Sequence, residues 1–462
     1  MPHALMQPGK GWSELSMHSP WQLRQDQTLE TASACLKARR FAAAALALDA
    51  ASPAVARSPQ WALLRGLADT RLGRIDSACA LLLPLARGAE PLATEAALAL
   101  AEAYHFAQRH EELAALLALG QPWVRSLRGA LVAARVCARS DPEQALALLH
   151  EVVESKADDT VRRVAGFDAV RLLDRHARYR QAYELAQRLH ASTTPAFALG
   201  EFLASVQLQV RLLAKGAQWC AARCPPVQGT AFVVGLPRSG TTLLEQMLDS
   251  HPGIAAIGEH EGVGDAQRAL VEAGVWPYRI NHLAAPAAGA MQAQYLSGAR
   301  QRAANGKTWT LDKSLLTWRC LPAVAALLPG AVCVRIQRDP RDMAISAMLS
   351  YFDPLAFGWT ASLNSIRQVV QAERELVPLA LRALGIAHES VVYEELVAQP
   401  APVMQRVLDC MGLPMDARVL APQDNRRTAI TLSHAQVQEP INDSSIGRWQ
   451  HYDFAFDADW NA

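Results

Sequence analysis

The chain has no excess of either charge: 45 Lys and Arg stand against 44 Asp and Glu, a net charge of +1 at pH 7. A global basic field for nucleic acid or anionic lipid is thereby excluded, while a local anion site needs only a few placed groups. Long apolar runs are missing too. The stretch Ala78 to Ala86 contains a proline and stops well short of the ~18 residues of a membrane helix. The opening MPHALMQPGKGW lacks the apolar core of a signal peptide. The expectation is a soluble, cytoplasmic protein with no membrane and no nucleic-acid partner. Cysteine is unpatterned. Of eight cysteines only Cys220 and Cys224 stand close, in a C-x3-C spacing without a second half, so reduced thiols are expected. His105, His110, His150, His176 and His190 lack metal-ligand spacing, and no metal is expected.

What is present suffices for a large core. The chain has 462 residues, 51% of them hydrophobic and 19% charged, and at about 150 residues per domain it holds two or three domains. Before residue 225 or so it is rich in Ala, Leu, Arg and Gln, a helix composition. A spaced pattern recurs there, at Arg74-Ile75-x-x-Ala78-x-x-Leu81, Arg109-His110-x-x-Leu113-x-x-Leu116, Asp141-Pro142-x-x-Ala145-x-x-Leu148 and Arg178-Tyr179-x-x-Ala182-x-x-Leu185. Arg40-Phe41-x-x-Ala44 is a weaker first copy. The steps between anchors are 34, 35, 32 and 37 residues, and a period near 34 resembles the tetratricopeptide repeat, a pair of antiparallel helices. Any Ala/Leu-rich helical solenoid stays open as the alternative. Either solenoid implies a concave surface for a protein partner or a macromolecular substrate, or a face that packs against the second domain.

The pattern changes near Cys224-Pro225-Pro226. A helix is expected from Glu201 to Trp219, ended by the prolines, and after it short β-type runs at Thr230–Gly235, Ala331–Ile336 and Ser390–Tyr393. Helical stretches separate them, at Arg341–Tyr351 and Pro402–Met411. Buried strands alternating with helices predict an α/β domain with a parallel sheet. The expected fold is thus an all-helical repeat domain (25–200), a connecting helix and linker (201–229), and a P-loop-type α/β domain (230–455).

The first strand leads into Gly235-Leu-Pro-Arg238-Ser239-Gly240-Thr241-Thr242 and then a helix. Loop N–H groups and the helix dipole make an anion cradle there. The G-x4-G spacing is that of a triphosphate-binding loop, but Thr241 stands where such loops carry lysine. Arg238 is the cation instead, which argues against a triphosphatase. Pro237 to Thr242, followed by Leu248-Asp-Ser-His-Pro252, closely resembles the 5′-phosphosulfate loop of the sulfotransferases that use 3′-phosphoadenylyl sulfate (PAPS). Arg338-Asp-Pro-Arg341, with Ser346 eight residues after Arg338, resembles that family's 3′-phosphate site. A guanidinium fork and a hydroxyl suit a dianion. Tyr393-Glu-Glu-Leu-Val-x-x-Pro400 resembles its segment near the adenine. Gln436 to Asn442 with Gly447-Arg-Trp449 resembles its closing segment, and Ser433 is a weaker match to a donor-site hydroxyl. The resemblance covers residues 230–455 and is strongest to tyrosylprotein sulfotransferases and bacterial tetratricopeptide-linked sulfotransferases.

That resemblance implies PAPS as donor, adenosine 3′,5′-bisphosphate as product, and an acceptor hydroxyl or amine on a peptide, another macromolecule or a small molecule. Ser239, Gly240, Thr241 and Thr242 with Arg238 would bind the 5′-phosphate, and Arg338, Ser346, Tyr393, Ser433 and Trp449 the rest of the nucleotide. Lys313, in Asp312-Lys313-Ser314, would reach the bridging oxygen, with Arg238 beside the leaving phosphate. The base is Glu259 or His260, with Glu261 third, because the segment from His251-Pro252 to Gly258-Glu259 is one residue longer than in the tyrosylprotein enzymes. A P-loop kinase or nucleotidase, and a repeat scaffold with an inactive sulfotransferase-like domain, are the alternatives. Trp276, Tyr278 and Tyr295 lie in a stretch expected to cover the acceptor.

Overall fold

Alanine and leucine build helices wherever periodic burial rewards them, and the described residues up to 192 do little else. The computed structural model describes residues 27–88, 91–192, 197–303, 306–425 and 440–461. The described residues up to 192, with 348–358, form one unit, and 197–347 with 359–461 form another.

Among its described residues the first unit is helical throughout. Its helices are α1 (Gln27–Lys37), α2 (Phe41–Asp49), α3 (Pro59–Arg71), α4 (Ile75–Ala86), α5 (Ala93–Phe106), α6 (His110–Ala118), α7 (Leu127–Cys137), α8 (Pro142–Glu154), α9 (Asp159–Arg175) and α10 (Tyr179–Ala191). Each packs on its neighbours in sequence, and α1, α3, α5 and α7 also contact one another in turn. The anchors Ala44, Ala78, Leu113, Ala145 and Ala182 are each the fourth residue of an even-numbered helix, at most 1% exposed. Close packing explains the small residues. A Cβ on Gly166 of α9 would stand 2.6 Å from Leu189 of α10, inside any tolerable contact. A left-handed residue precedes the first cap of α2, α4, α6 and α10, at Arg39, Gly73, Gln108 and Ala177, turning the chain sharply into the next helix.

The second unit begins with α11 (Leu199–Ala214), which was expected as a connector from Glu201 to Trp219. It ends earlier, a short 3-10 turn follows at Gln218–Cys220, and Gln207 donates to Glu375 at 2.7 Å on a long helix of the same unit. Then come β1 (Thr230–Val234), α12 (Thr241–Asp249), β2 (Ile254–Gly258), α13 (Gly262–Glu272), α14 (Ala285–Arg302), β3 (Trp309–Asp312), α15 (Leu321–Leu327), β4 (Val332–Gln337) and α16 (Pro340–Met348). The short α17 (Pro354–Phe357) belongs to the first unit. The chain closes with α18 (Leu363–Ala383), β5 (Ala387–Val392), α19 (Tyr393–Ala398) and α20 (Pro400–Cys410).

All five strands are parallel, in the order β2-β3-β1-β4-β5. Every residue of β1 is buried, as a parallel sheet covered by helices on both faces requires. Ala231 and Val233 pack with Leu244, Met247, Val334, Met404 and Val407, while Phe232, on the opposite face, meets Tyr295 of α14 at 5.8 Å. β1 leads back to β2 on one side and β4 leads on to β5 on the other. Where connections diverge like this, the strand ends open a crevice in which α/β proteins bind ligands. β2 and β3 were not expected from the sequence, and Tyr393 opens a helix rather than ending β5. No helix among the described residues is long and apolar enough to cross a membrane.

Candidate active site

The crevice starts with the turn between β1 and α12. Gly240 has φ 99°, and a Cβ there would stand 2.4 Å from the Tyr393 ring, so no side chain fits. Gly240 is also the N-cap of α12 and lends no side chain to it, leaving the first-turn N–H groups without a side-chain cap at the positive end of the helix dipole. Thr241 and Thr242 open that turn, both buried. The hydroxyl of Ser239 faces inward and donates to the Leu236 carbonyl at 2.7 Å, so it braces the loop. Arg238 is left-handed, with φ 70°, a strain that non-glycine residues keep only where the surroundings enforce it. Its Nε donates to the Ser346 hydroxyl of α16 at 2.7 Å.

The next strand end meets this loop. Arg338, just after β4, donates from Nη1 to the Arg238 carbonyl at 3.1 Å and from Nη2 to the Ser445 carbonyl. Its guanidinium lies 4.7 Å from the centre of the Tyr393 ring. Asp342 stands 3.9 Å from Nη2. The Arg338 side chain is only 8% exposed, and its buried Nε has no partner, a donor that ordinarily finds an acceptor. Asp342 also accepts from the backbone N–H of Gly447 at 2.7 Å and of Trp449 at 2.9 Å. The Trp449 ring lies under the Arg341 guanidinium at 3.7 Å, and Arg341 pairs with Asp339 at 3.0 Å. Four predicted residues, Arg238, Ser346, Arg338 and Tyr393, are thus joined through direct contacts, and Trp449 is linked to them through Asp342. Ser433 and the start of the Gln436–Asn442 segment lie outside the described residues.

On the other side of β1, the register pairs Gly258 of β2 with Asp312 of β3, and the Lys313 N–H donates to the Gly258 carbonyl at 2.9 Å. Glu259 and Lys313 therefore leave the sheet side by side. Lys313 Nζ lies 2.6 Å from Glu259 Oε1 and 4.0 Å from Glu245 Oε2. The Lys313 side chain is 2% exposed, that of Glu259 48%, so the ammonium is held inside and the carboxylate fronts solvent. Arg302 supports the turn from behind, donating to the Glu259 carbonyl at 3.2 Å. His260 points the other way. Its ring packs on Tyr295 at 5.1 Å, Nε2 lies 3.4 Å from the Tyr295 carbonyl, and burial with the nearby Arg302 charge lowers its pKa to about 4. Glu261 stands at the N-cap position of α13, without a capping bond from its side chain. Of the candidate bases, Glu259 is the one brought to Lys313.

Sequence reasoning missed Glu245, Asp342 and the buried pair Asp312–Tyr295. Glu245 carried a faint signal, an acid amid the apolar run of α12. Among the described residues no three His, Cys, Asp or Glu side chains are grouped to hold a metal ion.

Comparison with known proteins bears on this half of the chain. Residues 231–417 match the model described as Sulfotransferase family. The chain is similar to the nodulation protein NoeE of Sinorhizobium fredii, 31% identical over 40% of this chain and 51% of that protein. It is also similar to protein-tyrosine sulfotransferase A of Caenorhabditis elegans, 26% identical over 47% of this chain and 60% of that protein. Protein-tyrosine sulfotransferase 1 of Danio rerio is 26% identical over 47% and 64% respectively. The match therefore spans about half to two thirds of these relatives. Among solved structures, a sulfotransferase domain from the curacin biosynthetic pathway is 18% identical, covering 49% of this chain and 92% of that one, with a TM-score of 0.35.

Proposed function

We infer that the second unit, whose residues 231–417 are a sulfotransferase-family segment, transfers a sulfuryl group from PAPS to an acceptor hydroxyl or amine. The observation that carries this reading is the union of the loop with the end of β4, in which Arg338 grips the Arg238 carbonyl and Arg238 grips Ser346. Both motifs lie at the strand ends where the connections diverge, on one crevice. The residues present fit a nucleotide with phosphates at both ends. The uncapped turn of α12, Arg238, Thr241 and Thr242 would hold the 5′ side. The partnerless Nε of Arg338, Ser346 and the Tyr393 and Trp449 rings would hold the 3′-phosphate and base. No lysine stands in the loop to serve a triphosphate, since that position is Thr241.

In the proposed reaction the donor supplies an activated sulfuryl group. The acceptor oxygen forms a bond to sulfur as the bond from sulfur to the bridging phosphate oxygen breaks. Glu259, half exposed and set at the mouth, takes the acceptor proton. Lys313 stands ready to place its ammonium on the leaving oxygen, where charge develops. Before substrates arrive the two side chains neutralise each other at 2.6 Å; the charges part when each finds its target. Adenosine 3′,5′-bisphosphate leaves with the electron pair of the broken bond.

The first unit supports a tetratricopeptide-like reading, since five anchors recur as the fourth residue of alternate helices. Its proposed task is to receive a peptide or other macromolecular acceptor, or a protein partner. All eight cysteines are free thiols, which supports a reducing, cytoplasmic location. Calorimetry with adenosine 3′,5′-bisphosphate against AMP and against ATP with Mg²⁺ tests the donor. Tight binding that weakens at least ~10-fold without the 3′-phosphate is expected. Preference for ATP would point to a kinase or nucleotidase, and no binding to an inactive scaffold.

A further inference from the structure

Behind the Glu259–Lys313 pair lies a group that touches neither substrate side. Asp312 is fully buried at the last position of β3. Its Oδ1 accepts from the Ser314 N–H at 2.9 Å, and its Oδ2 accepts from the Tyr295 hydroxyl of α14 at 3.0 Å. The His260 backbone N–H donates to the Gly258 carbonyl at 3.1 Å, and that carbonyl also accepts from the Lys313 N–H at 2.9 Å. The carboxyl thus binds the peptide unit after Lys313 and ties it through Tyr295 to α14, while the shared Gly258 carbonyl joins that turn to the one carrying Glu259. From the same helix Arg302 donates to the carbonyls of Ile257 and Glu259, at 3.4 and 3.2 Å. The close fit extends to glycine. A Cβ on Gly298 of α14 would lie 2.8 Å from His260 Cε1, and one on Gly262 2.7 Å from His260 Nε2.

Burying a carboxyl this completely is expensive unless its partners need it. This carboxyl takes one hydrogen bond from the turn that presents Lys313 and one from α14, the helix whose Arg302 holds the Glu259 carbonyl. We propose that Asp312, oriented by Tyr295, is a positioning residue that sets the distance between the Glu259 carboxylate and the Lys313 ammonium. This rests on the sulfuryl-transfer reading for its consequence in turnover, though not for the clamp itself.

Both parts are testable on the full chain. Tyr295→Phe keeps the ring that packs on Phe232 and His260 and removes one hydrogen bond to Asp312; Asp312→Asn removes the charge. Amide hydrogen exchange of peptides spanning 257–262 and 311–316 is expected to speed up in both variants, at both turns together. Turnover should fall about tenfold in Tyr295→Phe, with adenosine 3′,5′-bisphosphate affinity kept within about twofold. In a Lys313→Met background, Asp312→Asn should cost no further turnover, because the group it positions is gone. Unchanged exchange at the two turns overturns the clamp. Losses that multiply with Lys313→Met overturn the positioning role. Should the wild-type chain neither bind the bisphosphate nor transfer sulfuryl groups, the functional reading fails, and exchange still decides the clamp. If Asp312→Asn does not fold, Tyr295→Phe carries the exchange arm and, combined with Lys313→Met, the turnover arm.

Discussion

Two buried groups in contact with Tyr295 or its backbone titrate against each other, which makes the pH dependence of stability a sharp probe of this region. Asp312 has its pKa raised to about 7, chiefly by burial, against the favourable bonds from Ser314, Tyr295 and His260 and the Arg302 charge. In the unfolded chain it ionises near pH 4. Between those values the folded state holds a proton the unfolded state has lost, so stability falls as pH rises. His260 runs the opposite way. Its folded pKa of about 4 lies below the unfolded value of about 6.5, so between them the unfolded state holds the extra proton and stability rises with pH. One proton of difference is worth about 1.4 kcal/mol per pH unit. From pH 4.5 to 6.5 the two slopes nearly cancel in the wild-type chain. Asp312→Asn leaves the histidine slope alone, and stability relative to wild type should climb by about 2–3 kcal/mol over those two units. His260→Gln leaves the carboxyl slope alone and should fall by a similar amount. Urea unfolding at several pH values, read by hydrogen exchange in the strand peptides, reports this unit by itself. Only slopes matter, so a constant loss in either variant is irrelevant. Curves parallel to wild type in both variants would refute the burial argument. Equal slopes of the same sign would show that a shared rearrangement, not the two titrations, governs the region.

Gly240→Ala forces a side chain into a left-handed turn against the Tyr393 ring; stability should fall by about 1–3 kcal/mol and bisphosphate binding at least ~10-fold. Gly264→Ala, with no atom within 4 Å of its added Cβ, is the control, and calorimetry should find its binding unchanged. Arg335 of β4 and Glu373 of α18 form a buried bidentate pair at 2.9 and 3.0 Å. Glu373→Ala should cost about 3–5 kcal/mol in denaturant unfolding by stranding the guanidinium, whereas replacing both by Met and Leu should restore most of it. A small loss in the single variant would mean that water reaches Arg335.

How far the sequence disclosed this architecture depends on whether each feature has a local cause. β1 and β4 are runs of Val, Ile, Phe and Cys and were legible; β2 reads Ile-Ala-Ala-Ile-Gly and β3 Trp-Thr-Leu-Asp, small or short, with burial supplied by distant helices. The repeat period was legible because packing forces a small or apolar residue onto the fourth position of alternate helices. The left-handed turns ahead of those helices were not, since Arg39, Gln108 and Ala177 are not turn residues by type and only Gly73 is. In the site, the glycine loop and the arginine at the end of β4 have local signatures. Glu245 and Tyr295 meet Lys313 and Asp312 from helices distant in sequence, Tyr295 with no local signature and Glu245 with only a faint one. The ambiguity between Glu259 and His260 is the instructive case. It arose from one surplus residue before Gly258-Glu259, whose effect on register no local pattern reveals. In the sheet, Ala256 faces Leu311 but Gly258 faces Asp312, so two residues of β2 span one step of β3. A bulge of this kind absorbs an insertion without turning the following residues to the other face. Beyond this irregularity Glu259 emerges beside Lys313 and His260 is turned onto Tyr295. Which side chain faces Lys313, and so which is proposed as the base, depends on where the strand places its irregularity, a property of pairing between β2 and β3 and not of either segment alone.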